Sequence, residues 1–130
     1  MSRDIEHTIG EAAIGIRTNN RNRIFLICDH ASNRIPPELG DMGLNHAERE
    51  DHIAWDIGAA QVTHVLSAEL CAPAVLGSTS RLVVDLNRRP EAPDVIPVVT
   101  HGVRVPGNEM LSAEDRASRF ERFYQPYHDA

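Results

Sequence analysis

Three groups of residues in this 130-residue chain have types and spacings that could do chemistry. The first is Asp29-His30-Ala31-Ser32-Asn33, directly after an apolar run. The second is Ser80-Arg81 followed by Asp85-Leu86-Asn87-Arg88-Arg89-Pro90. Asn87 and Arg88 set an amide beside a planar guanidinium fork, which suits bidentate recognition of a carboxylate. Spacing alone favours a plainer reading, in which Arg81 and Arg88 only neutralise Asp85, because a carboxylate in a buried strand is costly unless paired. The third is His52 and Asp56, four residues apart on a helical pattern. That spacing can hold a metal ion, although a hydrogen-bonded or solvated pair is the commoner outcome. Cys28 beside His30 admits a cysteine hydrolase, but a thiol inside an apolar run is poorly placed to become a low-pKa nucleophile.

The elements that position these groups follow from the apolar pattern. Ile24-Phe25-Leu26-Ile27-Cys28 is unbroken, whereas a half-exposed strand would alternate, so the run predicts a strand buried on both faces. His30 then falls at the carboxyl end of a strand, where open α/β sheets bind ligands and a functional histidine is expected. Asn45 with Glu48 is a capping box. Beyond it Trp55, Ala59, Val62, Leu66 and Leu70 recur at helical steps and predict one stripe facing the sheet. The small Gly58-Ala59-Ala60 step would let that helix approach the strand closely. Strand signals return at 72–76 and 82–86, and strand, helix, strand makes a right-handed βαβ unit. The Gly77-Ser78-Thr79-Ser80 link is too short for a parallel crossover, so the last two strands are expected as an antiparallel pair or one bent ribbon.

The remaining segments frame that unit. Residues 1–22 predict an edge element followed by a polar turn at 18–22, with His7 solvated. The proline-rich stretch 90–107 contains Val95-Ile96 and Val98-Val99, so a packed loop is expected. Ser112 caps a last helix with Asp115 at its third position; Ala117, Phe120, Tyr124 and Tyr127 form its buried stripe, and Pro126 should end or kink it. His46, His64 and His101 read as solvent-facing or structural, and of these only His101 is placed to line a site.

A net charge of -6 with 42% hydrophobic content fits one globular domain. It argues against a nucleic-acid surface, which needs a clustered Lys/Arg excess. No apolar run approaches a membrane span, and Met1-Ser2-Arg3-Asp4 opens no signal peptide, so a cytoplasmic location is expected. Cys28 and Cys71 form no Cys-x-x-Cys pair and are expected as buried, reduced thiols. The elements give an α/β class with few strands, which is thin for such a core.

Three ordered stretches, 28–36, 51–59 and 80–88, together resemble the N-formylglutamate amidohydrolase family. They read Cys-Asp-His-Ala-Ser-Asn-Arg-Ile-Pro, Asp-His-Ile-Ala-Trp-Asp-Ile-Gly-Ala and Ser-Arg-Leu-Val-Val-Asp-Leu-Asn-Arg. The resemblance covers the chain from about residue 24 onward. It implies a zinc-carboxypeptidase-like α/β fold, here a partial three-layer sheet with flanking helices. The implied activity is hydrolysis of the formyl amide of N-formylglutamate, a step of histidine degradation, or of a related N-acyl amino acid.

Carried over residue by residue, the resemblance makes His30 a ligand of zinc or another divalent metal, and Asp56 a second ligand or its orienter, ahead of Glu38 and Glu50. Arg81, Asn87 and Arg88 become the binders of a small acidic substrate's carboxylates. Family members continue beyond the Tyr124-Gln125-Pro126-Tyr127-His128 segment into a strand with a further histidine ligand, and the general base is also implied downstream. The 1–130 chain is therefore expected to be an incomplete domain with weak metal binding and little turnover. The alternative is a non-catalytic module that binds anions through Arg81 and Arg88, or self-associates through an exposed sheet edge.

Overall fold

The computed structural model describes residues 5–18 and 23–130. The expected polar turn, apart from Thr18, and the opening Met1–Asp4 lie outside the described residues. β1 (Ile5–Ile9) and β2 (Ala13–Arg17) form a hairpin, and Gly10 takes the positive φ of 54° in its turn. β4 (Ala74–Gly77) pairs antiparallel with β2 and parallel with β3 (Leu26–Cys28), so the strand order is β1-β2-β4-β3. β1 is the edge element expected of the amino-terminal segment. His7 is not solvated as expected: its ring lies against Gly15, where a Cβ would come within 2.5 Å, and its Nδ1 is buried.

β3 forms the other edge, which corrects the expectation of a strand buried on both faces. Ile27 is 65% exposed and Phe25 54%. An unbroken apolar run shows that a strand can be covered on both faces; it does not show that a neighbour is there.

The helix predicted from Asn45 onward is two helices. The Asn45 side chain accepts from the Glu48 N–H and the Glu48 carboxylate from the Asn45 N–H, at 2.9 Å each, which starts α1 (His46–Glu50) as read from the sequence. The chain leaves the helix over 51–58 and restarts at Gly58, φ 89°, as α2 (Ala59–Leu70). The break resets the helical phase, and the predicted stripe points outward: Val62 is 58% exposed, with Leu66 and Leu70 exposed beside it. The sheet-facing side is small and polar instead. Thr63 and Ser67 are buried there, their hydroxyls donating to Ala59 O (2.9 Å) and Ala72 O (2.6 Å), so neither hydroxyl is orphaned.

On the opposite face the core is irregular backbone. Leu82, Val83 and Val84 are fully buried but form no strand, which corrects the pair expected with residue 74. Their hydrogen bonds go elsewhere. The Leu82 carbonyl accepts from Asn108 Nδ2 and the Val83 carbonyl from Arg119 Nη1, while Asp85 N–H donates to Val95 O at 2.7 Å. Buried Arg119 also donates to Asn108 Oδ1 and Gly107 O. Side chains thus replace the neighbouring strand that this segment lacks.

Val95 and Ile96 are buried, as the packed loop requires, whereas Val98 and Val99 are exposed. β5 (Val99–Thr100) and β6 (Val103–Arg104) turn tightly through His101 and Gly102, both at positive φ.

Ser112 caps α3 (Ala113–Arg119) by accepting from Asp115 N–H, as expected. Of the two outcomes expected at Pro126, an end or a kink, the end does not occur: helical structure continues through a π turn (Phe120–Tyr124) into α4 (Gln125–Asp129). The wide turn leaves room for the proline ring. It also changes which side chains are covered: Ala117 is exposed, and Phe123 joins Tyr124 and Tyr127 in the core. Cys28 is buried, but Cys71, expected buried, is exposed at the left-handed end of α2. Among the described residues no helix is long and apolar enough to cross a membrane.

Candidate active site

β3 delivers Asp29 and His30 to the carboxyl end of the sheet. Gly77, at the end of β4, lets them pass: a Cβ there would meet the Asp29 carbonyl oxygen at 2.5 Å. The His30 ring is 7% exposed and lies between two carboxylates. Nε2 is 2.6 Å from Asp85 Oδ1, and Nδ1 faces Asp56 Oδ2 at 3.4 Å. The Asp56 N–H also donates to the His30 carbonyl at 3.0 Å, fixing the two segments to each other.

Asp85 is only 4% exposed. It accepts from the Asn87 N–H at 3.0 Å, and its Oδ2 faces Arg81 Nη2 at 3.4 Å and Arg88 Nε at 3.8 Å. Arg81 Nη1 lies 3.5 Å from Asp56 Oδ1, so one guanidinium spans both carboxylates that flank the imidazole. Arg88 also faces Asp94 at 3.4 Å.

The end of the π turn and α4 hold the rim of this cluster. The Tyr127 hydroxyl donates to the Asp29 carboxylate, the Tyr124 hydroxyl to Arg88 O at 2.6 Å, and His128 Nε2 to Leu86 O at 3.0 Å. Two hollows open on either side of β3. One of about 550 Å³ is bordered by His30, Asp56, Asn87 and Val62, and one of about 470 Å³ by Asp29, Asn87, Arg88 and Tyr127. Arg81 and Arg88 share a smaller recess of about 60 Å³ with Asp85 and Asp94.

His30, Asp56, Arg81, Asn87 and Arg88 are therefore brought together around Asp85. The other candidates are not. His52 pairs with Asp51 at 2.7 Å instead of Asp56, because residues 51–56 are not helical, and its ring packs edge-on against His101 at 5.0 Å. Glu38 pairs with Arg122, and the Glu50 carboxylate accepts from Asn33 at 3.2 Å. His46 and His64 are exposed, as expected. The Asp85 to His30 bond is what the sequence reading missed. The cost of a buried carboxylate was visible, but the arginines offered as its partners are both farther away than the imidazole 55 residues upstream.

Burial disfavours a charged imidazole, but the hydrogen bond and charge of Asp85, with Asp56 adding, outweigh it and raise the His30 pKa above 6.5. Burial likewise opposes the Asp85 carboxylate, and here His30, the Asn87 N–H and Arg81 hold its pKa below 3.8. A raised pKa contributes stability below 6.5 that is lost as pH climbs through the folded value; a depressed one contributes above 3.8 and is lost as pH falls. Both contributions are complete between these limits. Thermal melts of EDTA-treated protein should accordingly fall as pH rises above 6.5, and His30→Asn should flatten that limb. Parallel profiles for the two proteins would refute the assignment. Burial pushes the Cys28 thiol up, which counts against the cysteine-hydrolase reading.

A small mixed α/β domain with flanking helices, carrying a buried histidine between carboxylates and a rim of arginines, is the class the fold and site define. The chain belongs to the N-formylglutamate amidohydrolase family, whose model matches residues 22–130. Among solved structures it resembles gene product Atu2144 of Agrobacterium tumefaciens, with 37% identity and a TM-score of 0.88 over 93% of this chain and 48% of that one. It thus spans about half the length of this solved relative. No curated protein matches it.

Proposed function

We propose that the chain carries the metal-binding and carboxylate-binding part of a site, in a domain of the zinc-carboxypeptidase type, that hydrolyses the formyl amide of N-formylglutamate or a related N-acyl amino acid. Family membership supports the reaction class. The observation that carries the site is the spacing of His30 and Asp56. Two ligand atoms held 2.0–2.2 Å from a tetrahedral ion stand about 3.4 Å apart, and His30 Nδ1 and Asp56 Oδ2 are separated by 3.4 Å. Asp85 on the other ring nitrogen fixes the tautomer that leaves Nδ1 free, a common arrangement behind metal-ligating histidines. Among the described residues no group of three such ligands occurs, so these two are the donors we assign to the metal.

The chemistry a bound divalent ion supplies is polarisation of a carbonyl and a water acidified to a pKa of about 7. The chain's own residues orient the substrate. Arg81 contacts its two carboxylates at 3.4 and 3.5 Å, longer than the ~2.8 Å of a tight charge-assisted bond, so it can turn to a substrate carboxylate at little cost. Exposed Asn87, which borders both hollows, and exposed Arg88, which borders the smaller of them, can take a second carboxylate.

Equilibrium dialysis, with zinc alone and then with N-formylglutamate, tests this reading. Zinc should bind the wild-type chain, and His30→Ala and Asp56→Ala should each weaken it by at least about tenfold. Arg81→Ala should weaken N-formylglutamate binding and spare zinc. The chain alone should release little formate. Equal zinc binding by wild type and His30→Ala would overturn the metal site, while N-formylglutamate binding unchanged by zinc would favour the anion-binding alternative.

A further inference from the structure

The arginines assigned to the substrate's carboxylates are already faced by the chain's own acids. Asp56, Asp85 and Asp94 surround two guanidiniums, those of Arg81 and Arg88. A second carboxylate brought by a substrate therefore enters a cluster where the acids already outnumber the arginines. The three acids are not held equally. Asp85 is 4% exposed and is tied to His30 and the Asn87 N–H. Asp56 faces the His30 ring as well as Arg81. The Asp94 carboxylate faces Arg88 alone among the described residues, at 3.4 Å, and these two side chains are 52% and 47% exposed. Its backbone, by contrast, is fixed. The neighbouring Val95 is fully buried, its N–H donates to Ala92 O at 3.2 Å, and its carbonyl accepts from the Asp85 N–H at 2.7 Å. Asp94 is thus kept within reach of Arg88 while its side chain stays free to turn. Arg88 borders both the hollow of about 470 Å³ and the recess of about 60 Å³, whereas Asp94 borders the recess alone. That recess is far below the roughly 300 Å³ of a small ligand site, so a substrate carboxylate reaches Arg88 from the hollow. Asp85 and Asp94 both meet Arg88 at Nε, which leaves the paired amino groups of the fork for a bidentate hold.

We propose that Asp94 is a specificity-determining residue: it competes with the substrate's second carboxylate for Arg88 and so narrows the site's preference for acidic over neutral N-acyl amino acids. This rests on the reading of Arg88 as a carboxylate binder. In the free chain Asp94 stands where the substrate's group would bind. When a dianionic substrate arrives, Asp94 either gives up Arg88 or stays close to a like charge, and both outcomes lower the affinity for that substrate. An ion pair between half-exposed groups changes binding by no more than about fivefold, so the competition tunes the site without closing it. A substrate whose side chain ends in an amide does not contend with Asp94 for the fork. The substrate class expected of the chain is therefore N-acyl amino acids with polar side chains, acidic and amide alike, and removing the Asp94 charge should shift it towards the acidic ones.

Equilibrium dialysis of the zinc-loaded chain with N-formylglutamate and with its side-chain amide, N-formylglutamine, isolates this effect, because the two ligands differ only at the second carboxylate. Asp94→Asn should tighten N-formylglutamate by about fivefold and leave N-formylglutamine within about twofold of wild type. Asp94→Glu, which keeps the charge, should behave as wild type. In an Arg88→Gln background Asp94→Asn should lose most of its effect, since the two residues act on one another, and about 0.5 M salt should shrink it. An unchanged ratio of the two affinities in Asp94→Asn, equal tightening of both ligands, or weaker binding of N-formylglutamate, as a residue that merely props Arg88 in place would give, would each overturn the proposal while leaving the Arg88 reading intact. N-formylglutamate binding unchanged by Arg88→Gln would instead remove the Arg88 reading, and the proposal with it.

Discussion

Asp85→Ala should destabilise the chain by about 3 kcal/mol at pH 6, close to the lower limit for removing one member of a buried ion pair. Asp85 is nearly inaccessible and is the acceptor for His30 Nε2 and the Asn87 N–H, with two guanidiniums near its second oxygen. The lower end of the range applies because His30 can release its proton once the carboxylate is gone, so the residual charge is not trapped. Asp85→Asn keeps an acceptor of the same shape and should lose roughly half as much. Urea unfolding at pH 6 measures both. A loss below about 1 kcal/mol for the alanine variant would mean that the bond to His30 is not formed in solution.

Arg119→Ala should cost a similar amount, about 3 kcal/mol, for a different reason. Among the described residues no carboxylate pairs with this guanidinium; its acceptors are the Val83 and Gly107 carbonyls and Asn108 Oδ1. Deleting it leaves buried oxygens without donors and opens a space where the buried side chain stood. Arg119→Met separates the two effects, since methionine fills much of the volume and donates nothing. If the hydrogen bonds dominate, the methionine and alanine variants should have unfolding free energies, read from urea titrations, within about 1 kcal/mol of each other. A methionine variant as stable as wild type would show that Arg119 contributes bulk alone.

These two residues mark where sequence reading succeeds and where it fails in this chain. The Asn45 to Glu48 box and the Ser112 cap involve groups three residues apart, so their geometry is fixed locally and was legible. His30 at the end of a strand was legible for a similar reason, because the apolar run and the polar break adjoin. Segment 82–86 was not: an apolar run signals burial, but whether its carbonyls meet a strand or the side chains of Asn108 and Arg119 is decided more than twenty residues away. The outward face of α2 was lost because residues 51–58 interrupt the helix and shift its phase. Three spaced motifs gave the family, since matching order and spacing together constrains far more than any single pair of side chains. They gave the grouping of His30, Asp56, Arg81, Asn87 and Arg88, but not the carboxylate at its centre.

The π turn between α3 and α4 has a bearing on what changes this chain can accept. Arg119, before the turn, is engaged with the irregular core, and Tyr124, Tyr127 and His128, at its end and beyond, are engaged with the site. A turn closed by i→i+5 bonds holds about one residue more than an α turn for nearly the same rotation. Losing one residue between Phe120 and Tyr124 would therefore keep both tyrosines facing Arg88 and Asp29, but it would set Pro126 inside an α-helix, where its ring meets the carbonyl four residues before it. Exposed Glu121 tolerates many side chains on this argument, whereas deleting its position would cost about 3 kcal/mol. What the turn protects is a residue count, a constraint that falls on insertions and deletions far more heavily than on substitutions.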